Sequence, residues 1–175
     1  MPNLRLLSLL LLLSSMACAT IELPKNFQAD FTQKITNTKG KIIDYRGKVS
    51  FSNERLFKWS YTQPTKKEVC TNGSELLVVD HDLEQVSSYY IARGIDIAKV
   101  LDNAKLHSAN IYVAKYENKQ YTIQLNKQKL HSIAYFDDLE NKVQIVFKHM
   151  KYGKGDLSEK TMKCNYPKDY DMIRG

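Results

Sequence analysis

Metal or general-base chemistry would fall first to four histidines, His81, His107, His131 and His149, which stand 26, 24 and 18 positions apart. None has a second ligand at i+2 or i+4 on an evident strand or helix, the spacing by which one element presents two donors to one ion. Structural or surface histidine is therefore the expectation, with no metal and no cofactor. G-x-S-x-G, H-E-x-x-H, C-x-x-C and P-loop patterns do not occur in the sequence. Asp137, Asp138 and Glu140 fall in one predicted turn, and Asp80 and Asp82 flank His81 in another. Neither group has the apolar shelter that raises a carboxyl pKa for acid or base work. The residue types argue against an enzyme.

The elements that would have to position such groups carry a different signal. In "NFQADFTQKITNTKG", Phe27, Ala29, Phe31 and Ile35 share one parity, and Gln28, Asp30, Thr32 and Lys34 the other. That is the period-2 pattern of a half-exposed strand, whose apolar face lines either an ordinary core or a cavity for a greasy ligand. "GKIIDYRGKVSFS" repeats the pattern with Ile43, Tyr45, Gly47, Val49 and Phe51, after a turn at Gly40. "RLFKWSYT" aligns Phe57, Trp59 and Tyr61 and ends before Pro64, which cannot donate to a ladder. Asn72-Gly73 predicts a hairpin inside "EVCTNGSELLVVD", a tight turn at "HD" follows, and "LEQVSSYY" returns.

The pattern changes at "IARGIDIAKVLDNAKL", where Ile91, Ile95, Ala98, Leu101 and, less cleanly, Ile97 fit a short amphipathic helix, with Gly94 before it and Asn103 near its end. Strands resume with "NIYVAKY", a turn at Asn118-Lys119, "YTIQLN", "LHSIAYFD" and "KVQIVFKHM", and "EKTMKCNYPKDYDMI" reads as one last extended segment. About ten strands with one helical insertion predict a mainly β protein, a strongly bent antiparallel sheet or barrel. A sheet of eight or more strands that curls this far leaves room for one ligand inside.

The bulk properties set the compartment. Arg5, the apolar run "LLSLLLLLSSM" and the small residues Ala17 and Ala19 form a secretory signal peptide, residues 1–19, too short to anchor the chain in a membrane. Removing 19 of the 175 residues leaves 156, residues 20–175, enough for one domain with a sizeable core. Cys18 after "SSMA" admits acylation as the alternative, with Ser15 where such sites usually carry Leu. Cys70 and Cys164 remain in an exported chain, where one disulfide or two unrelated thiols are both open. Loss of Arg5 lowers the formal charge from +7 to +6. The lysines are scattered and the aromatics form no stacking platform, so nucleic acid is not expected; the charge suits anionic head groups, an acidic partner face, or merely a soluble surface.

These stretches, in order, resemble one family. F-x-A-x-F-x-Q is met by Phe27, Ala29, Phe31 and Gln33; the glycine-led strand ending in F-x-W-x-x-x-x-P by Gly47, Phe57, Trp59 and Pro64; D/N-G before a strand pair closing on E-Q by Asn72, Gly73, Glu84 and Gln85. With "NYPKDYDMI", the run from Asn26 to Ile173 is similar to LolA, the periplasmic carrier of outer-membrane lipoproteins. The resemblance implies an unclosed β-barrel with a helical lid over a hydrophobic cavity. It also implies acylated lipoproteins as cargo, an inner-membrane ABC transporter as donor, an outer-membrane receptor as acceptor, and a monomeric carrier in the periplasm.

Under this resemblance the cavity is lined by Phe27, Phe31, Val49, Phe51, Phe57, Trp59, Tyr61, Ile145 and Phe147, and Ile95, Ala98 and Leu101 belong to the lid. Plain core packing is the competing reading for each. Phe57 matches a family phenylalanine near the cavity mouth that is implicated in transfer. Two features depart from the pattern. The family arginine-proline pair before F-x-W, whose arginine closes the lid, is replaced in "SNERLFKW", with Asn53 at the aligned position and Arg55 two residues later on the same strand face. Only "TIELPKN" stands where the family carries an amphipathic N-terminal helix. The rival readings are a membrane-anchored receptor of the same fold, acylated at Cys18, and a periplasmic lipid-binding or sensing module.

Overall fold

Alternating sequence becomes a long hairpin at the head of the sheet. The computed structural model describes residues 21, 26–52, 56–71, 75–90, 97–153 and 157–174. Within it β1 (Asn26–Thr36) and β2 (Ile42–Ser52) pair residue for residue, Phe27 opposite Phe51, Ala29 opposite Val49 and Phe31 opposite Gly47. The turn between them is built by Asn37, whose side-chain oxygen accepts the amides of Lys39 and Lys41 at 3.0 and 2.8 Å, and by Gly40 at φ 79°. Such a left-handed φ is cheap only without a Cβ.

β3 (Leu56–Gln63), β4 (Lys67–Thr71), β5 (Glu75–Asp80) and β6 (Gln85–Tyr90) continue the meander. After α1 (Ile97–Asp102) a second meander runs through β7 (Lys105–Ser108), β8 (Ile111–Tyr116), β9 (Lys119–Asn126), β10 (Lys129–Phe136) and β11 (Lys142–Tyr152), followed by α2 (Glu159–Met162) and β12 (Asp171–Arg174). β1 pairs with β11 and so joins the two meanders into one 12-stranded sheet, ordered β12-β6-β5-β4-β3-β2-β1-β11-β10-β9-β8-β7. β12 and β7 are its free edges, so the barrel is unclosed.

Ring contacts measure the curl. β3 and β11 lie three strand spacings apart, roughly 14 Å in a flat sheet, yet the ring centroids of Trp59 and Phe147 are 6.2 Å apart. Phe31 meets Trp59 at 4.7 Å and Tyr61 at 5.2 Å, two strands away. The aromatic face is therefore the concave one. Its floor is a single packed cluster in which Phe27, Phe31, Ile123, Val143 and Phe147 are buried together with Val100 and Leu101 of α1. The helix plugs the trough it was expected to cover.

Gly47 is required by this packing. A Cβ at this position would overlap the Ser60 carbonyl oxygen and stand 2.9 Å from Cε1 of Phe31. Backbone cannot yield as a flexible side chain can, so Gly47→Ala is expected to lose about 2–3 kcal/mol, as overpacked cores do. The shift of the urea midpoint at constant m checks it; an unchanged midpoint would mean that β2 and β3 can separate at no cost.

The opposite, convex face carries a second, smaller core. Leu56, Cys70, Val79 and Val86 point there, and the C-terminal segment covers part of this face, Met162 and Cys164 lining one recess with Leu56 and Cys70. The cover is tied down at several points. Cys70 and Cys164 form a disulfide, Lys58 bonds Glu68 at 3.0 Å and donates to the Lys163 carbonyl at 2.9 Å, and the Asn165 amide donates to Glu68 at 3.0 Å. Beyond it β12 pairs in parallel with β6, Asp171 opposite Gln85. The disulfide alternative is thus the realised one.

Several sequence expectations change. The tail is not one extended segment: the Ser158 carbonyl accepts the amides of Thr161 and Met162, winding α2, and the strand forms only after the turn at Pro167–Tyr170. The expected helix ends at Asp102, with Lys99 and Leu101 carbonyls accepting from Asn103 and Ala104, and Lys105 and Leu106 pass into β7. The turn expected at Asn118-Lys119 is carried one residue earlier, by Glu117 and Asn118 at φ 47° and 62°. The described residues hold twelve strands rather than about ten. The segment 1–19, the Asn72-Gly73 turn, Asn53, Arg55 and Ile95 lie outside the described residues; Ala98 falls within α1.

Candidate functional site

The register places all nine sequence-predicted cavity residues on the concave side. Across the strands, Phe27, Phe51 and Phe57 form one row, Val49 and Trp59 a second, and Tyr61, Gly47, Phe31 and Phe147 a third, with Ile145 one step further along β11. Depth divides them. Phe27, Phe31, Val49, Ile145 and Phe147 are buried in the floor, whereas Phe51, Phe57, Trp59 and Tyr61 are half-buried. Those four form a continuous aromatic shelf on β2 and β3, with Phe51 stacked on Phe27 at 5.4 Å. Of the lid residues, Leu101 is described to its side chain and is 1% exposed, seated in the floor.

A shelf of half-buried aromatic surface beside a packed floor can shelter an apolar ligand, since each buried CH₂ contributes about 0.8 kcal/mol. Its polar groups were missed by the parity argument. Tyr61 donates from its hydroxyl to Oε1 of Gln33 at 3.1 Å, and Tyr45 packs edge-on against Tyr61 at 5.7 Å. Tyr121 and Tyr135 lie 5.2 Å apart on the far side of the trough. Burial, reinforced by Tyr135 and Tyr45, pushes the Tyr61 hydroxyl up to about 12; burial, with Tyr121 and Asp137, does the same to Tyr135. Both remain protonated donors throughout the physiological range. A signal was present in the sequence, because Gln33 and Tyr45 occupy the inward parity of their strands.

Several of the groups first considered for chemistry are otherwise engaged. His149 stands in a β-bulge opposite Ala29 at φ 52° and contacts Asp30 at 2.8 Å; His81 contacts the Tyr170 hydroxyl at 3.2 Å. Burial pushes the Asp80 carboxyl up, but Lys67 and the Leu83 and Asp82 amides outweigh it and hold the group below its ordinary value. Asp137 is lowered likewise, burial being outweighed by Asn141 and the Leu139 amide. Neither is a raised-pKa acid. Glu68, Cys70 and Cys164 cluster on the convex face, but the sulfurs bond each other and Glu68 binds Lys58 and Asn165. A recess of about 240 Å³ beside that disulfide, lined by Leu56, Leu77 and Met162 among others, is smaller than the usual ligand pocket and on the wrong face for the shelf.

Comparison with known proteins agrees with this arrangement. Residues 23–160 match the model of the family described as outer membrane lipoprotein carrier protein LolA. The outer-membrane lipoprotein carrier protein of Campylobacter jejuni is 33% identical over 148 residues, covering 85% of this chain and 86% of the relative. That of Wolinella succinogenes is 30% identical over 162 residues, covering 91% and 93%. A solved structure of an uncharacterized conserved protein from Thermus thermophilus superposes with a TM-score of 0.56 at 13% identity, covering 87% of this chain and 92% of that one, and shares the fold. The chain belongs to the LolA family of outer membrane lipoprotein carrier proteins.

Proposed function

We propose that this chain is a soluble, monomeric periplasmic carrier, a single domain over residues 20–175, that shelters the acyl chains of lipoproteins between the two membranes. It receives them from an inner-membrane ABC transporter and delivers them to an outer-membrane receptor or to the membrane itself. The observation that carries the reading is the half-buried shelf of Phe51, Phe57, Trp59 and Tyr61 continuing a buried aromatic floor on the concave side of an unclosed sheet. A surface of this kind is costly in water unless something covers it. Hydrophobic contact without a buried ion pair also suits a carrier that has to let go, because apolar contacts can be exchanged gradually for those of the next partner. Family membership supports the same cargo, and it supports a carrier rather than an enzyme. The disulfide fits an oxidising compartment.

Adding the purified protein, residues 20–175, to spheroplasts with an active transporter is expected to bring outer-membrane lipoproteins into the supernatant as a water-soluble complex. Lipoproteins that stay on the membrane would instead favour an anchored receptor. The intact mass of the mature form then decides whether Cys18 carries acyl groups.

A further inference from the structure

The trough is not apolar throughout: Gln33, Tyr45, Tyr61 and Tyr135 bring neutral hydrogen-bonding groups to its concave face. Tyr61 donates to Oε1 of Gln33, which leaves the Gln33 amide nitrogen as a donor. Among the described residues nothing hydrogen-bonds that nitrogen or the hydroxyls of Tyr45 and Tyr135. No fully buried side-chain nitrogen or oxygen among the described residues lacks a partner, so none of these three groups is sealed inside the core. Tyr45 lies directly opposite Gln33 on β2; Tyr135 is opposite Val143, itself opposite Ile35 on β1. Tyr61 and Tyr135 pack against the same buried cluster, and Tyr45 meets Tyr61 edge-on at 5.7 Å.

We propose that Gln33, Tyr45 and Tyr135 form a donor subsite for neutral carbonyl oxygens, the ester and amide carbonyls through which acyl chains are joined to their cargo. The inference rests on the carrier reading and adds where the polar end of the acyl group sits. Every acyl chain ends in a carbonyl that must leave water together with the chain, and leaving it unpaired in the trough would cost binding. Donors placed at the edge of the floor remove that cost. An anionic head group is a poorer match, because the lysine opposite Tyr61 on the concave face, Lys67, is held by Asp80 at 3.0 Å. A plain hydrocarbon would leave the donors without an acceptor. The subsite therefore selects acylated over merely greasy ligands.

The test uses two synthetic lipopeptides with chains of equal length, one acylated through ester and amide carbonyls, the other alkylated through ether and amine links. The purified protein is expected to bind the acylated form about tenfold more tightly, as two hydrogen bonds of ordinary net strength allow. Gln33→Leu and Tyr135→Phe are each expected to remove about threefold of that preference while leaving the alkylated form unaffected. Tyr135→Phe retains the ring and leaves the Tyr61–Gln33 bond intact, so it answers for Gln33→Leu should that variant be unstable. Equal binding of both lipopeptides by the unaltered protein, or an unchanged preference in both variants, overturns the subsite and leaves the carrier reading standing. Failure to bind either lipopeptide overturns both.

Discussion

Phe57→Glu is expected to fold and to lose at least tenfold in lipoprotein uptake and transfer. Phe57 is half-buried on the aromatic shelf, opposite Phe51 on one side and Thr71 on the other, and stands outside the packed cluster that holds Phe27, Phe31 and Phe147. A glutamate there keeps the strand pairing and removes little from the core. Its carboxylate would, however, have to lose water whenever an acyl chain covers the shelf. An unpaired charge in apolar surroundings is far costlier than a lost methylene, so even partial desolvation accounts for the tenfold loss. Circular dichroism and thermal unfolding close to those of the unaltered protein, with loss of the soluble lipoprotein complex, is the predicted combination. Normal transfer by the variant would remove Phe57 from the site.

Replacing both Cys70 and Cys164 by serine is expected to cost stability without abolishing binding. The disulfide spans 94 positions, and in the chain-entropy view a loop of about 100 residues restricts the unfolded chain by roughly 4.7 kcal/mol, with measured values typically about 2–4 kcal/mol. We expect about 3 kcal/mol, read from urea denaturation. The loss should be local in character. The link clasps the C-terminal segment to the convex face, where Met162 borders one recess with Leu56 and Leu77, and hydrogen exchange should accelerate in β12 and β6 more than in β1 or β11. Because the concave floor lies on the other side of the sheet, lipopeptide affinity should change little. Equal loosening of both faces would show that the two cores do not unfold separately.

Much of this arrangement was legible in the sequence, because side-chain direction in a strand alternates with a period of two and needs no tertiary information. Phe27, Phe31, Val49, Phe51, Trp59 and Tyr61 share a face for that reason alone. Depth within the face was not legible. Whether Trp59 is half-buried or fully buried depends on how tightly β3 curls toward β11, a contact between residues 59 and 147. The resemblance to LolA supplied the unclosed barrel; parity supplied the residues that share its concave face.

The misreadings cluster where structure is made by distant partners. "KLHS" became the edge strand β7 although all four residues are exposed, so no buried alternation marks it. The C-terminal segment has its path decided by Cys70, Glu68 and β6, all about ninety positions upstream. Gln33 was visible as part of a motif, but its pairing with Tyr61 requires the diagonal reach of a ring across β2.

If acyl chains lie on the concave face, photo-crosslinking within the released complex should find them there. A photoreactive phenylalanine analogue at position 51 faces the shelf; the same analogue at position 58 faces the convex side beside Glu68. Position 51 is expected to crosslink to the lipid-bearing end of the lipoprotein, and position 58 is not. Crosslinking from position 58 alone, or from both equally, would contradict this placement.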